Sequence, residues 1–161
     1  MRKQKGFSLI ELLIVVAIIL IIAAIAIPNL LRSRIAANEA AAVGNMRTIN
    51  TAEVSYASTY PAHVGTYGLL AELGPPAGGA CPTPSATNAC LIDETLANAT
   101  AIATSKSGYF FTLALSGTVG YTNLGTAAAQ GSSGVRHFYT DASGVIRFDA
   151  TAAATVASPA I

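Results

Sequence analysis

Apolar residues fill the first fifth of the chain almost without interruption. From Leu12 to Leu31 the sequence runs for 20 residues without a charged side chain. A helix of about 20 apolar residues spans the roughly 30 Å hydrocarbon core of a bilayer. Basic residues flank the run, with Arg2, Lys3 and Lys5 before it and Arg32 and Arg34 after it. The pattern predicts one membrane-spanning helix, and the mild positive bias places the N-terminus in the cytoplasm and the remaining chain outside.

One carboxylate, Glu11, lies at the start of this apolar run. A charge at the centre of a membrane helix costs on the order of 2.5 to 3.5 kcal/mol, less near an end, and normally has a partner. Cleavage between Gly6 and Phe7 would create an α-amino group four residues before Glu11, at the same depth. The amine of Phe7 is therefore the candidate partner.

Two simpler interpretations compete with cleavage at Gly6. A secretory signal peptide has a basic start, an apolar run of about 7 to 15 residues and a small-x-small cleavage site, and Ala24-Ile25-Ala26 fits such a site. The apolar run here is longer and carries an acid near its start, which argues against it. An uncleaved single-pass anchor is the second alternative.

The helical pattern continues beyond Pro28 in a more mixed form. Apolar side chains recur at steps of three, four and seven, which places them on one helix face: Ile35, Ala42, Met46, Ile49, Tyr56 and Tyr60. The Tyr60-Pro61 pair ends the pattern, because proline lacks the N–H donor and disfavours helix at the preceding residue. We expect one helix over residues 7–60, with Pro28 and Gly44 as its weak points.

The remainder of the chain predicts a small head built on a sheet. A Gly- and Pro-rich stretch follows Pro61, with one helical turn suggested by a cluster of leucines at 69, 70 and 73. Alternating segments then predict strands at 109–115, 119–123, 136–140 and 145–149, with Asp141-Ala142-Ser143-Gly144 as a hairpin turn. The predicted fold class is α+β: a long N-terminal helix packed against an antiparallel sheet of three to four strands.

Cys81 and Cys90 are the only cysteines and lie in the part of the chain predicted to be exported. An even count in an oxidising compartment favours a disulfide, which for so short a loop contributes roughly 2 to 3 kcal/mol. Two free buried thiols are the alternative.

The N-terminal stretch KGFSLIELLIVVAIILIIAAIAIPNL resembles the signature of the type IV pilin superfamily, which includes pilus subunits and the pseudopilins of type II secretion. The resemblance implies that a prepilin peptidase cuts after Gly6 and methylates the new amine of Phe7. It also implies that Glu11 pairs with the Phe7 amine of a neighbouring subunit. Pro28 cannot donate to the carbonyl four residues back, which predicts either a segment that melts locally in a filament or a static kink in the membrane helix.

The chemistry of the remaining residues excludes several classes of function. Loss of residues 1–6 would remove three of the nine Lys and Arg residues. The six that remain, set against eight Asp and Glu residues, give a net charge of −2, so no nucleic-acid surface is predicted. The two histidines have no partner at metal-ligand spacing. Asp141 and Asp149 loosely resemble the calcium loop of major pseudopilins but lack enough oxygen ligands. We expect no cofactor, no metal and no enzymatic activity.

The expected protein is the structural subunit of an extracellular type IV pilus-like filament. Its domains are a leader at 1–6, a helix at 7–60 whose part 7–31 serves membrane insertion and assembly, and a head at 61–161. Its expected partners are identical subunits, the prepilin peptidase, and an inner-membrane assembly platform driven by a cytoplasmic ATPase. The precursor is expected in the inner membrane and the product at the cell surface. A type II secretion pseudopilin, and less so a membrane-anchored binding domain, are the alternatives.

Overall fold

The computed structural model describes residues 7–61, 63, 67–81, 83–117 and 120–161. The predicted leader, residues 1–6, therefore lies outside the described residues. The chain divides into two compact units, with the boundary between Arg34 and Ile35.

The first element, α1, is a 51-residue α-helix that runs from Leu9 to Thr59 and contains Pro28. Up to Arg34 its side chains are exposed, apart from the half-buried Ala23. Proline is the only residue here that cannot donate to the carbonyl one turn back, yet the helix continues on both sides of it. The predicted long helix is confirmed, with ends one or two residues inside the predicted ones.

The second part of α1 buries one face in the head. Ala42, Met46, Ile49 and Tyr56 are all fully buried, as the periodicity predicts, whereas Ile35 and Tyr60 are only half-buried. The same face also carries two buried carboxylates, Glu39 and Glu53, which the apolar pattern did not predict.

Four antiparallel strands form the sheet of the head in the order β1-β2-β3-β4. The strands are β1 (Tyr109–Ser116), β2 (Gly120–Ala127), β3 (His137–Asp141) and β4 (Arg147–Asp149). The turn between β3 and β4 is the predicted one: the Gly144 N–H donates to the Asp141 carbonyl at 2.9 Å. The α+β fold class is thus confirmed.

Two predicted strand limits are wrong. We expected the second strand to end at residue 123, but β2 continues to Ala127 and pairs with the first half of β1. Gly125 occupies a buried position of β2, where a Cβ would lie only 3.3 Å from both Met46 Sδ and Phe111 Cε1. The close approach of α1 therefore explains a glycine inside a strand. The last strand begins at Arg147 rather than 145. The predicted start at 119 lies outside the described residues.

Short helical elements lie between α1 and the sheet. Helix α2 (Leu70–Leu73) is the predicted helical turn. Helix α3 (Glu94–Ala97) and a 3-10 turn (Ile102–Thr104) were not predicted. Asp93 caps α3, because its side chain accepts a hydrogen bond from the Leu96 N–H at 3.1 Å. These elements complete a core whose largest fully buried apolar side chains are Met46, Ile49, Tyr56, Leu73, Leu96, Tyr109, Phe111 and Phe138.

Candidate functional site: the N-terminal segment

The Glu11 carboxylate caps the start of α1. Its Oε2 accepts a hydrogen bond from the Ser8 backbone N–H at 2.9 Å, and the Ser8 carbonyl accepts from the Leu12 N–H at 3.3 Å. Ser8 and Glu11 have the S-x-x-E spacing in which the acid at the third helical position satisfies the N-cap N–H. A negative charge at this end also complements the helix dipole. Among the described residues, Glu11 therefore accepts one hydrogen bond, from the Ser8 N–H.

The helix that follows presents apolar side chains on all sides. Phe7 is 76% exposed, and from Leu9 to Leu31 every leucine, isoleucine and valine is exposed. Leu9, Leu12, Leu13, Val16, Ala17 and Leu20 line a shallow groove along one side. By length and composition, α1 is able to cross a membrane. Such a surface requires lipid or other apolar helices around it.

Arg32 and Arg34 mark the polar end of this segment. Both are exposed and follow Pro28 by one to two helical turns. The Ser33 hydroxyl donates to the Asn29 carbonyl at 3.0 Å, within the same turn. The change from apolar to charged side chains thus falls at the boundary between the two units.

Cys81 and Cys90 form a disulfide, as predicted, with their Cα atoms 6.3 Å apart. Between them, Ser85 and Asn88 exchange two backbone hydrogen bonds of 3.0 and 3.1 Å. The Tyr56 hydroxyl donates to the Ala86 carbonyl at 2.6 Å and so ties this loop to α1. The disulfide loop is therefore a part of the head that packs on the long helix.

Glu39 ties α1 to the start of β3. Its Oε1 accepts from the backbone N–H groups of Val135 and Arg136 at 2.9 and 3.0 Å, and its Oε2 accepts from Arg136 Nε at 2.7 Å. Burial opposes ionisation, but these hydrogen bonds and the guanidinium charge outweigh it, so the pKa of Glu39 is lowered.

Glu53 is the opposite case, since burial raises its pKa to about 7 despite a hydrogen bond from the Gly68 N–H. Both acids fall on the helical spacing of the predicted buried face, at residues 39, 42, 46, 49, 53 and 56. From this spacing, the burial of both acids could have been predicted from the sequence.

Asp141 and Asp149, the residues considered for metal binding, accept hydrogen bonds from backbone groups of their own turns. Asp141 Oδ1 accepts from the Ser143 N–H at 2.9 Å, and Asp149 Oδ1 accepts from the N–H groups of Thr151 and Ala152 at 2.8 and 3.0 Å. Hydrogen bonding by the Ser143 side chain, and then by its N–H, lowers the pKa of Asp141, and the N–H groups of Thr151 and Ala152 lower the pKa of Asp149. Over the described ranges of the chain, no three His, Cys, Asp or Glu side chains come together as a metal site. His137 is a half-buried residue of β3.

Comparison with known proteins matches the N-terminal segment. A family model described as "Prokaryotic N-terminal methylation motif" covers residues 1–27. The N-terminal segment therefore carries this methylation motif, which supports the resemblance to the type IV pilin superfamily over residues 1–27. Phe7 and Glu11, whose placement is described above, lie inside the matched residues.

Two curated relatives carry the same kind of segment. The chain is 67% identical over 39 residues to the "Type IV wide pilus major component PilA4" of Thermus thermophilus, which is 24% of this chain and 30% of the relative. It is 46% identical over 56 residues to the "Type IV major pilin protein PilA" of Myxococcus xanthus, which is 35% of this chain and 26% of the relative. The chain thus spans less than a third of either relative. No solved structure matches it.

Proposed function

We propose that this chain is the structural, non-enzymatic subunit of an extracellular type IV pilus-like filament. The observation that carries the proposal is the segment from Phe7 to Leu31, which joins the pilin signature to an apolar helix surface exposed on all sides. A surface of this kind fits two environments in turn: lipid before assembly and neighbouring helices after it.

Processing comes first in the proposed sequence of events. The precursor is held in the inner membrane as a single-pass protein with its N-terminus in the cytoplasm. The prepilin peptidase cuts between Gly6 and Phe7 and methylates the new amine. The cut removes three basic residues, Arg2, Lys3 and Lys5, and so removes charge that would hold the helix end at the membrane surface.

Assembly then depends on Glu11. Apolar surfaces of Leu, Ile and Val drive burial but do not define an axial register, because they are nearly uniform and hydrophobic attraction is non-directional. Oε2 of Glu11 is engaged by the Ser8 N–H, and the described residues place no donor at Oε1. Oε1 is the atom that we assign to the Phe7 amine of the next subunit. A wrong register leaves the carboxylate unpaired in an apolar surrounding, which costs several kcal/mol.

The partners follow from this scheme. Identical subunits form the helical core and the heads cover it, and an inner-membrane platform driven by a cytoplasmic ATPase moves subunits out of the bilayer. In this arrangement Pro28 is the site where α1 is able to melt locally during packing, since one helical hydrogen bond is already missing there.

The primary experiment is intact mass spectrometry of the native protein combined with electron microscopy of sheared cells. We expect a chain that begins at a methylated Phe7 and long filaments that contain it. A chain that begins at Met1 or at Ile27 would refute the processing scheme. Short filaments confined to the periplasm would instead assign the chain to the pseudopilins, and an uncut monomer would assign it to membrane-anchored binding domains.

A further inference from the structure

Glu53 is a buried acid with an incomplete set of hydrogen bonds. The residue lies near the end of α1 and its side chain is fully buried. Its Oε2 accepts from the Gly68 backbone N–H at 3.0 Å, whereas no donor among the described residues reaches the buried Oε1. A carboxylate with a single neutral donor is poorly compensated for the water it has lost.

Among the described residues, no lysine or arginine pairs with Glu53. Glu72 on α2 adds a second negative charge nearby, and the pKa values of Tyr56 and Tyr121 are themselves raised, by burial first and by this acidic surrounding second. His63 is hydrogen-bonded through Nδ1 to the hydroxyl of Tyr56, one turn along α1 from Glu53, at 2.9 Å. The titratable groups of this region are Tyr56 of α1, Tyr60, His63 and Tyr67 after it, Glu72 of α2, Tyr121 of β2 and Asp141 at the end of β3.

The hydrogen bond from Gly68 holds a closely fitted segment onto α1. A Cβ at Gly68 would lie 3.1 Å from Tyr56 Cζ and 3.3 Å from Leu73 Cδ2, so the backbone itself rests against both side chains. The preceding Tyr67 packs against Tyr121, with ring centroids 4.9 Å apart and the ring planes tilted by 59°. The segment Tyr67–Gly68 is therefore seated between α1, α2 and β2, and Glu53 is the acceptor for its backbone.

We propose that Glu53 is a pH-sensitive switch, whose neutral carboxyl group holds Tyr67–Gly68 against α1 and whose ionisation releases this segment. In the closed state Oε1 carries the proton and Oε2 accepts from Gly68. Ionisation passes the proton to solvent and leaves a charge beside Glu72 that becomes hydrated only when the segment lifts. A neutral unpaired hydroxyl costs far less than an unpaired buried charge, so acid favours the closed state.

The direction of the effect follows from proton linkage. Burial raises the pKa of Glu53 in the closed state from 4.5 to about 7, whereas an exposed glutamate keeps its ordinary value. The closed state binds more protons between these values, so opening increases as the pH rises through this range and levels off above about 7. The opening constant should rise roughly 25-fold between about pH 5.5 and pH 8.

Amide hydrogen exchange at Gly68 measures this opening in the full chain in detergent micelles. After correction for the intrinsic exchange rate, the wild-type protection factor should fall roughly 25-fold over that range. Glu53→Gln preserves the shape and the acceptor but has no proton to lose, so its protection factor should stay constant. Glu39→Gln is the matched control, because Glu39 is also a buried acid of α1 but lies at the other hydrogen-bonded cluster; it should retain the wild-type pH dependence.

A protection factor in the wild type that does not depend on pH would overturn the switch, as would an equal dependence in Glu53→Gln. If that variant does not fold, the ¹³C chemical shift of the Glu53 carboxyl carbon in the wild type decides: a midpoint near 7 supports the switch and a midpoint near 4.5 contradicts it. The inference concerns the head alone, and both outcomes are independent of whether the chain assembles into a filament.

Discussion

Replacement of Glu39 by alanine tests how the head is held on α1. The substitution removes the acceptor for three donors at once: two consecutive backbone N–H groups, of Val135 and Arg136, and the Arg136 guanidinium. The Glu39 side chain is 8% exposed, whereas that of Arg136 is 38% exposed. Because water reaches the Arg136 side chain, most of the lost stability should come from the two backbone N–H groups.

The size of the effect follows from these exposures. A donor left without a partner costs about 1 to 3 kcal/mol when it is buried; the two backbone hydrogen bonds here are only partly buried, so each should cost about 1 kcal/mol, at the low end of that range. The Arg136 guanidinium is partly hydrated and still lies over the Phe138 and Phe148 rings, 5.7 and 5.3 Å from their centroids, so its share is closer to the value of up to about 1 kcal/mol found for surface ion pairs. We expect Glu39→Ala to lower the free energy of unfolding of the head by about 2 to 3 kcal/mol.

Urea unfolding of the full chain in detergent micelles, followed by near-ultraviolet circular dichroism, measures this loss. All six tyrosines lie at residue 56 or beyond, so the tyrosine signal reports on the head and not on the apolar segment. Lys106→Ala is the matched control, because Lys106 Nζ and Asp93 Oδ1 are also 2.7 Å apart but their side chains are 28% and 52% exposed. The control should cost less than about 1 kcal/mol.

The pH dependence gives a second reading of the same interaction. Because the pKa of Glu39 in the folded state lies below 4.5, its contribution is fully present above pH 4.5 and is lost as the pH falls through the folded value. The difference in stability between the wild type and Glu39→Gln should therefore shrink below pH 4.5. Equal losses in Glu39→Ala and Lys106→Ala would refute the reasoning.

Substitutions at four further positions test other parts of the chain. Glu11→Gln keeps an acceptor for the helix cap but has no charge. Like Glu11→Ala, it should be inserted and cut normally yet give few or no filaments. If electron microscopy shows wild-type numbers of filaments when either variant is the only copy, the charge-pairing scheme is contradicted. Cys81→Ser should lower head stability by roughly 2 to 3 kcal/mol without changing membrane insertion, and labelling of both cysteines by an alkylating agent in the exported wild type, without reductant, would exclude the disulfide. Gly125→Ala should destabilise the head by about 1 kcal/mol or more through overpacking, whereas Gly44→Ala, where a Cβ meets nothing within 4 Å, should stabilise it by about 0.5 to 1 kcal/mol; thermal unfolding checks both signs.

The properties of the N-terminal segment could be predicted from the sequence because they depend on residues that are close together along the chain. A run of apolar residues long enough to cross a bilayer, the flanking charges and the position of Glu11 need no knowledge of distant contacts. The helix face at Ala42, Met46 and Ile49 was found for the same reason, since the period of an α-helix is a property of the backbone. The hairpin turn at Asp141–Gly144 likewise depends on residues that are neighbours in sequence.

Tertiary contacts decided the rest. Periodicity places Glu39 and Glu53 on the buried face but says nothing about their donors, which lie 96 and 15 residues further along the chain. One acid meets a guanidinium and two backbone N–H groups, and the other meets a single N–H and a second acid, so the two carboxyl groups have pKa values shifted in opposite directions. Glycine has a low intrinsic preference for strands, yet β2 continues through Gly125, because the close approach of α1 leaves no room for a side chain there. In each case the deciding free energy comes from groups brought together by the fold, so it is absent from any local window of the sequence.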